Sequence, residues 1–262
     1  MPVGRTFGAT SPWTTCGRIS SNLALNPIFA TCGPMPLRYG QMMTNSLLTP
    51  LQQAFLRAFF GDPVGQRFFL TGGTALAAFH LHHRLSDDLD LFTLDDLALE
   101  AAVRPIETVT FDLECTLQRT RVSQYFQQFL LTHPHHETPL KIDVVRDFGP
   151  QYGERFISDG IIVDALDNVA ANKITSLFGR ADIKDFVDLY FILQEGYDLN
   201  ELFEMAREKD PGLTEFYFVG MLRQIEKHTR LPKMLKPLEL ETLRAFYSAL
   251  ARKLMSDLTP ER

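Results

Sequence analysis

The segment that most constrains this chain is Phe68-Phe69-Leu70-Thr71-Gly72-Gly73-Thr74, separated by thirteen residues from Asp88-Leu89-Asp90-Leu91. Arg67 to Thr71 reads as a short buried strand, Gly72-Gly73 as a tight turn and Thr74 to His83 as a helix of Ala, Leu and Phe. Asp88 to Phe92 then alternates polar and apolar as a strand does. Residues two apart in a strand share a face, with Cα atoms ~6.5 Å apart, so Asp88 and Asp90 converge while Leu89 and Leu91 face the core. Two bare carboxylates this close repel, and a divalent cation relieves the repulsion. Mg2+ commonly takes one or two protein carboxylates together with substrate phosphates. Lys141 to Val145 alternates again and puts Asp143 opposite Ile142 and Val144, so a second strand can complete the metal set Asp88, Asp90 and Asp143.

Glycines ahead of a helix let backbone N–H groups approach a phosphate, and the Thr74 hydroxyl adds a donor. Carboxylates on one side and amides on the other form a site for a nucleoside triphosphate, where positioning and charge neutralisation carry in-line displacement. Each feature has a plainer reading. Asp88 and Asp90 could be acids on a solvated strand face, Asp143 an edge-strand acid beside Lys141, Thr74 a helix cap and Asp87 a cap or strand-flanking residue. Arg84 and Ser86 either clamp phosphate or shape the turn into the strand.

The bulk properties set the surroundings. Hydrophobic residues make up 45% of the 262 and charged residues 22%, as in ordinary globular proteins. The net charge of -6 argues against a general nucleic-acid coat but leaves room for a local basic patch. Residues 71 to 115 hold nine Asp or Glu against two Arg, so a cationic ligand is expected there. No apolar run approaches the ~18 residues of a membrane span. Cys16, Cys32 and Cys115 show no paired spacing, so a cytoplasmic location without disulfides or membrane is expected. Six of the seven histidines cluster, as His80, His82, His83 and His133, His135, His136, at spacings that match no closed zinc site.

Along the chain, residues 1–61 contain no acid, and residues 1–45 read as a poorly ordered leader, either a transit-like segment or translated sequence upstream of Met42 or Met43. Folded structure is expected from Thr49, with Pro50 opening a helix. Leu94 to Val103 reads as helical, and Phe111 to Thr132 as strands with a loop. After Pro150 helical spacing dominates, over Asp167 to Arg180, Ile183 to Gln194, Asn200 to Lys209, Leu213 to His228 and Leu238 to Met255. The expected division is a core over 46–160 and a helical domain over 161–262 that completes the active site. Phe216, Tyr217 and Phe218 are expected in the core, and Lys227, Arg230, Lys233 and Lys236 form a modest basic patch, by default solvated.

Gly72-Gly73-Thr74-Ala75-Leu76 and His83 to Phe92 resemble the signature of the AbiEii/AbiGii toxin nucleotidyltransferases, members of the polymerase-beta-like superfamily. Lys141 to Val144 falls where that family carries a later core strand. Asn168 to Leu193, with Lys173, Arg180, Asp185 and Asp188, is similar to its helical Lys...Arg...Asp-x-x-Asp segment, and Leu231 to Phe246 resembles its tail. The likeness covers roughly residues 47 to 250, and Thr74 stands where the superfamily often has Ser.

The resemblance implies an α+β fold, a mixed sheet flanked by helices and followed by a mostly helical domain. It implies a nucleotidyltransferase using Mg2+ (or Mn2+), the toxin of an abortive-infection or type IV toxin-antitoxin pair with a cognate antitoxin. It leaves the acceptor open among tRNA, proteins and small molecules. Asp88, Asp90 and Asp143 would bind metal, with Asp143 alternatively accepting a proton. Lys173 would reach the phosphates, and Gly72, Gly73, Thr74, Arg84, Ser86 and Arg180 would bind the nucleotide. From pattern alone Lys173 borders the buried stripe Ala170, Ile174, Leu177 and Phe178, and Asp185 and Asp188 suit a helix start. A non-catalytic nucleotide- or partner-binding module and a phosphohydrolase are the competing readings.

Overall fold

The computed structural model describes residues 47–258; the leader expected over 1–45 lies outside the described residues. Helix α1 (Pro50–Gly61) starts as expected. The Thr49 hydroxyl accepts from the Gln52 N–H while the Gln52 side chain accepts from the Thr49 N–H, and Pro50 occupies the first turn where no N–H is needed. Its apolar stripe, Leu51, Phe55, Leu56, Phe59 and Phe60, is buried, with Phe59 edge-on to Phe68 of strand β1 (Phe68–Thr71).

All four residues of β1 are buried because it runs through the middle of the sheet. Gly72 then turns with φ +66, and the chain enters α2 (Gly72–Ala75) and a π-helical stretch, Leu76–Leu81, that ends on His82 in the left-handed region. Strand β2 (Leu89–Thr93) returns antiparallel to β1, with Leu89 and Leu91 buried as the alternation requires. Helices α3 (Asp96–Ala101) and α4 (Val103–Asp112) lead to the hairpin β3 (Thr116–Val122) and β4 (Phe126–Thr132), and then to β5 (Leu140–Arg146), which pairs parallel with β2. The helix read over Leu94 to Val103 is thus two helices, the second running to Asp112.

The hairpin β6 (Phe156–Ser158) and β7 (Ile161–Val163) was not expected. β7 lies parallel to β1, so the sheet order is β3-β4-β5-β2-β1-β7-β6 and the sheet runs to Val163, past the expected boundary near residue 160. The signal was present: Asp159-Gly160, both at positive φ, is the two-residue turn that suits the twist of a hairpin.

Beyond the sheet, α5 (Leu166–Arg180), α6 (Ile183–Gln194), α7 (Leu199–Lys209), α8 (Glu215–Leu222) and α9 (Leu240–Leu258) follow the expected helical pattern. Their apolar faces form a second cluster around Phe186, Leu189, Phe218 and Tyr247, apart from the one between α1, α4 and the sheet. Of the expected core aromatics only Phe218 is buried. Phe216 and Tyr217 are about two-thirds exposed, because α8 is short and presents only Phe218, Val219 and Leu222 inward. The segment after α8 is tied back to the chain before β2: the His83 carbonyl accepts from the N–H groups of Leu235 and Lys236, and the Leu85 N–H donates to the Lys233 carbonyl. No described helix is long and apolar enough to cross a membrane.

Candidate active site

The parallel pairing of β2 with β5 sets Asp90 directly beside Asp143, and Asp90 also lies opposite Thr71 of β1. Asp88 precedes β2 by one residue on the same face. These carboxylates form one wall of a cleft of about 500 Å³. The Lys141 ammonium stands between them, 2.9 Å from Asp88 Oδ2 and 3.4 Å from Asp143 Oδ2. Gln128 Nε2 donates to Asp143 Oδ1 at 2.8 Å and fixes its orientation. Burial and then the neighbouring Asp143 push the Asp90 carboxyl up to about 6.

Gly72 and Gly73 form the floor. A Cβ on Gly72 would stand 2.0 Å from Asp90 Oδ2, and one on Gly73 would stand 2.7 Å from the Arg84 guanidinium and 3.0 Å from Ser86 Oγ. Only bare backbone fits between these side chains. Thr74 is buried and does not line the cleft. Its hydroxyl donates to the Asp88 carbonyl, so it fixes the chain that carries Asp88, where a phosphate contact was expected.

The opposite wall comes from α5 and α6. Asp188, fully buried, accepts from Arg84 Nε (2.6 Å) and Nη2 (2.8 Å) and pairs with Lys173 (2.7 Å) and His83 (2.8 Å). Asp185 holds Lys173 at 3.2 Å and Arg180 at 2.7 Å. Burial opposes each charge, yet Lys173 and Arg84 hold the Asp188 carboxyl well below its usual range, and Asp188 with Asp185 holds the Lys173 ammonium above its own. Burial depresses His83, which is therefore neutral near pH 7. Three permanent cations face two carboxylates, and the surplus charge sits on Arg180, whose side chain is 63% exposed and lines the cleft. Lys173 lines the cleft as well, but its ammonium is committed to Asp185 and Asp188. The reading of Asp185 and Asp188 as mere helix-start acids is incomplete, since both are the buried counterions of this wall.

A family model for "Nucleotidyl transferase AbiEii toxin, Type IV TA system" matches residues 54–262. The chain belongs to the AbiEii nucleotidyltransferase toxin family. A relative from Aquifex aeolicus, the uncharacterized protein aq_aa25, is 28% identical over 150 residues; the match covers 54% of this chain and 66%, slightly less than two thirds, of that protein. Two Helicobacter pylori structures share the fold. JHP933 has a TM-score of 0.51 at 16% identity, with 79% of this chain and 90% of that chain covered. A second, described as a candidate nucleotidyltransferase, has a TM-score of 0.52 at 15% identity, with 79% and 93% covered.

In this AbiEii-family chain the carboxylate wall fits a divalent cation by its donor set. It offers hard oxygen ligands from Asp88, Asp90 and Asp143, a proton affinity at Asp90 that a nearby cation would relieve, and an ammonium standing in among them. Among the described residues no group of three or more His, Cys, Asp or Glu side chains is already poised around one ion, and Asp88 and Asp143 both face Lys141. The histidines serve elsewhere: His80 contacts the Asp164 carbonyl at 2.9 Å, His83 contacts Asp188, and His133, His135 and His136 contact one another.

Three features of the cleft's surroundings escaped the sequence reading. One is the Lys141 bridge. Another is buried Asp164, which accepts from Thr71 (2.7 Å) and Asn168 (2.8 Å) and so joins the end of β1 to α5. The last is Lys209 at the end of α7, which lines the cleft with its ammonium buried, without a hydrogen bond among the described residues and 3.9 Å from Asp147. Only the alternation that places Lys141 on the Asp143 face announced any of these.

Proposed function

We propose that this chain moves a nucleoside monophosphate from a nucleoside triphosphate to an acceptor hydroxyl, that the reaction depends on Mg2+ or Mn2+, and that the acceptor is tRNA. We further infer that it acts in the cytoplasm as the toxin of an abortive-infection or type IV pair, countered by an antitoxin. The observation that carries the reading is the cleft itself: a wall of three carboxylates, one of them with raised proton affinity, facing a wall with surplus positive charge across a floor of bare glycine backbone.

Asp88, Asp90 and Asp143 would hold the metal, with Lys141 withdrawing from between them. A divalent cation there would neutralise the triphosphate and make an acceptor hydroxyl more acidic. Gly72 and Gly73 let the phosphates come against the main chain. Arg180, anchored through Asp185 yet exposed, meets the charge that develops on departing pyrophosphate. Lys173 and Arg84 act from behind it, as the fixed field of the wall. Ser86 borders the same floor.

Purified protein incubated with Mg2+, each of four α-labelled nucleoside triphosphates and total tRNA tests this, with Asp88→Ala as control. A labelled tRNA band lost in the variant is expected. Label that persists in the variant would overturn the carboxylate assignment, and label on protein or small molecules would move the acceptor. Lys141 favours one second reading, since an ammonium lodged permanently between Asp88 and Asp143 would give a nucleotide-binding module without turnover. Triphosphate binding without pyrophosphate release under every acceptor would establish it.

A further inference from the structure

Both strands that carry the aspartates run on beyond them towards the far end of the cleft. Residues two apart in a strand share a face, so Phe92 follows Asp90 on β2 and Asp147 follows Asp143 and Val145 just past the end of β5. The Asp147 N–H donates to the Thr93 carbonyl and so continues the ladder between the two strands. At ~3.3 Å per residue, Asp147 stands about 13 Å along the sheet from Asp143. Asp147 and the half-buried Phe92 both line the cleft. The glycine floor lies in the other direction, against Asp90, Arg84 and Ser86. A triphosphate whose β and γ groups rest on that floor has the length from Asp90 past Phe92 to Asp147 left for its sugar and base.

Lys209 closes this end from α7. Its side chain is only 7% exposed, and its stem packs so closely on Gly149 that a Cβ there would stand 3.1 Å from the Lys209 Cγ. The ammonium has no hydrogen bond among the described residues; it lies 3.9 Å from Asp147 Oδ2 and 5.6 Å from the centre of the Tyr152 ring. Asp147 does not swing over to close the gap, because its Oδ1 accepts from the Gly149 N–H and its Oδ2 from Gln151 Nε2. Burial accordingly lowers the proton affinity of Lys209, with Asp147 opposing the fall. A buried ammonium short of an acceptor is costly, and a ligand atom that accepts from it removes the cost. That atom does not belong to a phosphate. Asp147 and Asp210 both line the cleft beside Lys209, and two carboxylates to one ammonium leave this end negative. A neutral group that accepts from the ammonium and donates to a carboxylate fits instead.

The polar edge of a nucleobase is such a group. We propose that Lys209 and Asp147 read the base of the nucleoside triphosphate, which lies along Phe92 while Lys209 donates to a ring carbonyl and Asp147 accepts from an N–H or amino group of the same base. Lysine is the common partner of the guanine carbonyl and a carboxylate that of the cytosine amino group, whereas adenine is met by Asn or Gln. Adenine alone among the four bases carries no carbonyl oxygen, so the pair selects GTP, CTP or UTP over ATP. The proposal rests on the transferase reading for where the triphosphate lies.

Titration calorimetry with Mg2+ and the α,β-methylene analogues of ATP, GTP, CTP and UTP, without any acceptor, tests it on binding alone. The full chain is expected to bind the ATP analogue about ten- to a hundredfold more weakly than the best of the other three. Lys209→Met is expected to weaken that best analogue by the same factor and to leave the ATP analogue unchanged, with thermal melts confirming that the variant folds. An ATP analogue bound as tightly as the others, or equal weakening of all four in the variant, would overturn the base reading; equal weakening is what a phosphate contact gives. Base preference lost in Lys209→Met, without labelled product from any triphosphate and acceptor, would sink the transferase reading alone. Transfer with base preference intact in Lys209→Met would sink the base reading alone, and no binding of any analogue would remove both.

Discussion

Replacing Asp188 with Asn would test whether the cationic wall is held by a dry ion network or by solvated charges. The side chain is fully buried and is approached by Arg84 through two bonds, by Lys173 and by His83. Asparagine has nearly the same shape, so packing survives while the negative charge goes. Arg84 and Lys173, about 1% and 4% exposed, would then share Asp185 as their remaining buried carboxylate. Leaving a buried charge uncompensated typically costs about 3–5 kcal/mol. With a urea dependence of ~3 kcal/mol per molar, that lowers the unfolding midpoint by about 1–2 M. Asp185→Asn should cost less than half as much, because Arg180 is largely exposed and Lys173 keeps Asp188. Equilibrium urea unfolding followed by circular dichroism measures both. A loss below about 1 kcal/mol for Asp188→Asn, or the reverse order of the two variants, would mean that water reaches the network and would refute the reasoning.

Other consequences can be measured directly. Because burial and Asp143 raise the Asp90 carboxyl to about 6, the fold holds a proton there that the unfolded chain releases near 4, so Asp90 costs the metal-free protein stability as pH rises from about 4 through 6. Asp90→Asn should therefore be more stable than wild type at pH 8 and equal to it at pH 4 by thermal melting in EDTA; a difference of opposite sign would contradict the assignment. Gly72→Ala combines a positive φ with a Cβ 2.0 Å from Asp90 Oδ2, so it should lose more than ~1 kcal/mol and most nucleotide affinity; an unchanged melt would show that the turn relaxes. Lys209→Met keeps the stem against Gly149 and removes a buried ammonium that has no hydrogen bond among the described residues, so its melting temperature should hold or rise; a clear fall would make the 3.9 Å pair with Asp147 structurally important.

The parts of the fold that were legible are those where one residue's neighbours in sequence decide its state. Thr49-Pro50 with Gln52 starts α1, the alternation around Asp90 and Asp143 fixes two strand faces, and the amphipathic stripes of α5 and α6 match their helices. The β6–β7 hairpin was missed because two strands of three residues give too short a pattern beside long helical runs, although Asp159-Gly160 marked the turn. At the site, the three aspartates and the glycine turn could be read because their spacing carries the chemistry. Partners could not. Nothing local says that Arg84, beside Gly73, is bound to Asp188, that Thr74 turns to the Asp88 carbonyl, or that Lys141 bridges two aspartates. These pairings come from tertiary packing, which sets side chains from distant elements against one another.

The two walls of the cleft also differ in when they are made. Asp88 and Asp90 precede Lys173, Asp185 and Asp188 by about a hundred residues, which at ~5–20 residues per second is on the order of 5–20 s of synthesis. A nascent chain on the ribosome thus carries the carboxylates long before it has anything to oppose them. A message cut short before α6, or a chain clipped between β5 and α5, yields half a cleft, whose repelling aspartates lack the charged wall across from them. Asp188 is the last counterion of that wall to emerge, and the cleft is not fully lined until Lys209 follows it, nor α6 fully packed until Tyr247 of α9 comes against Phe186.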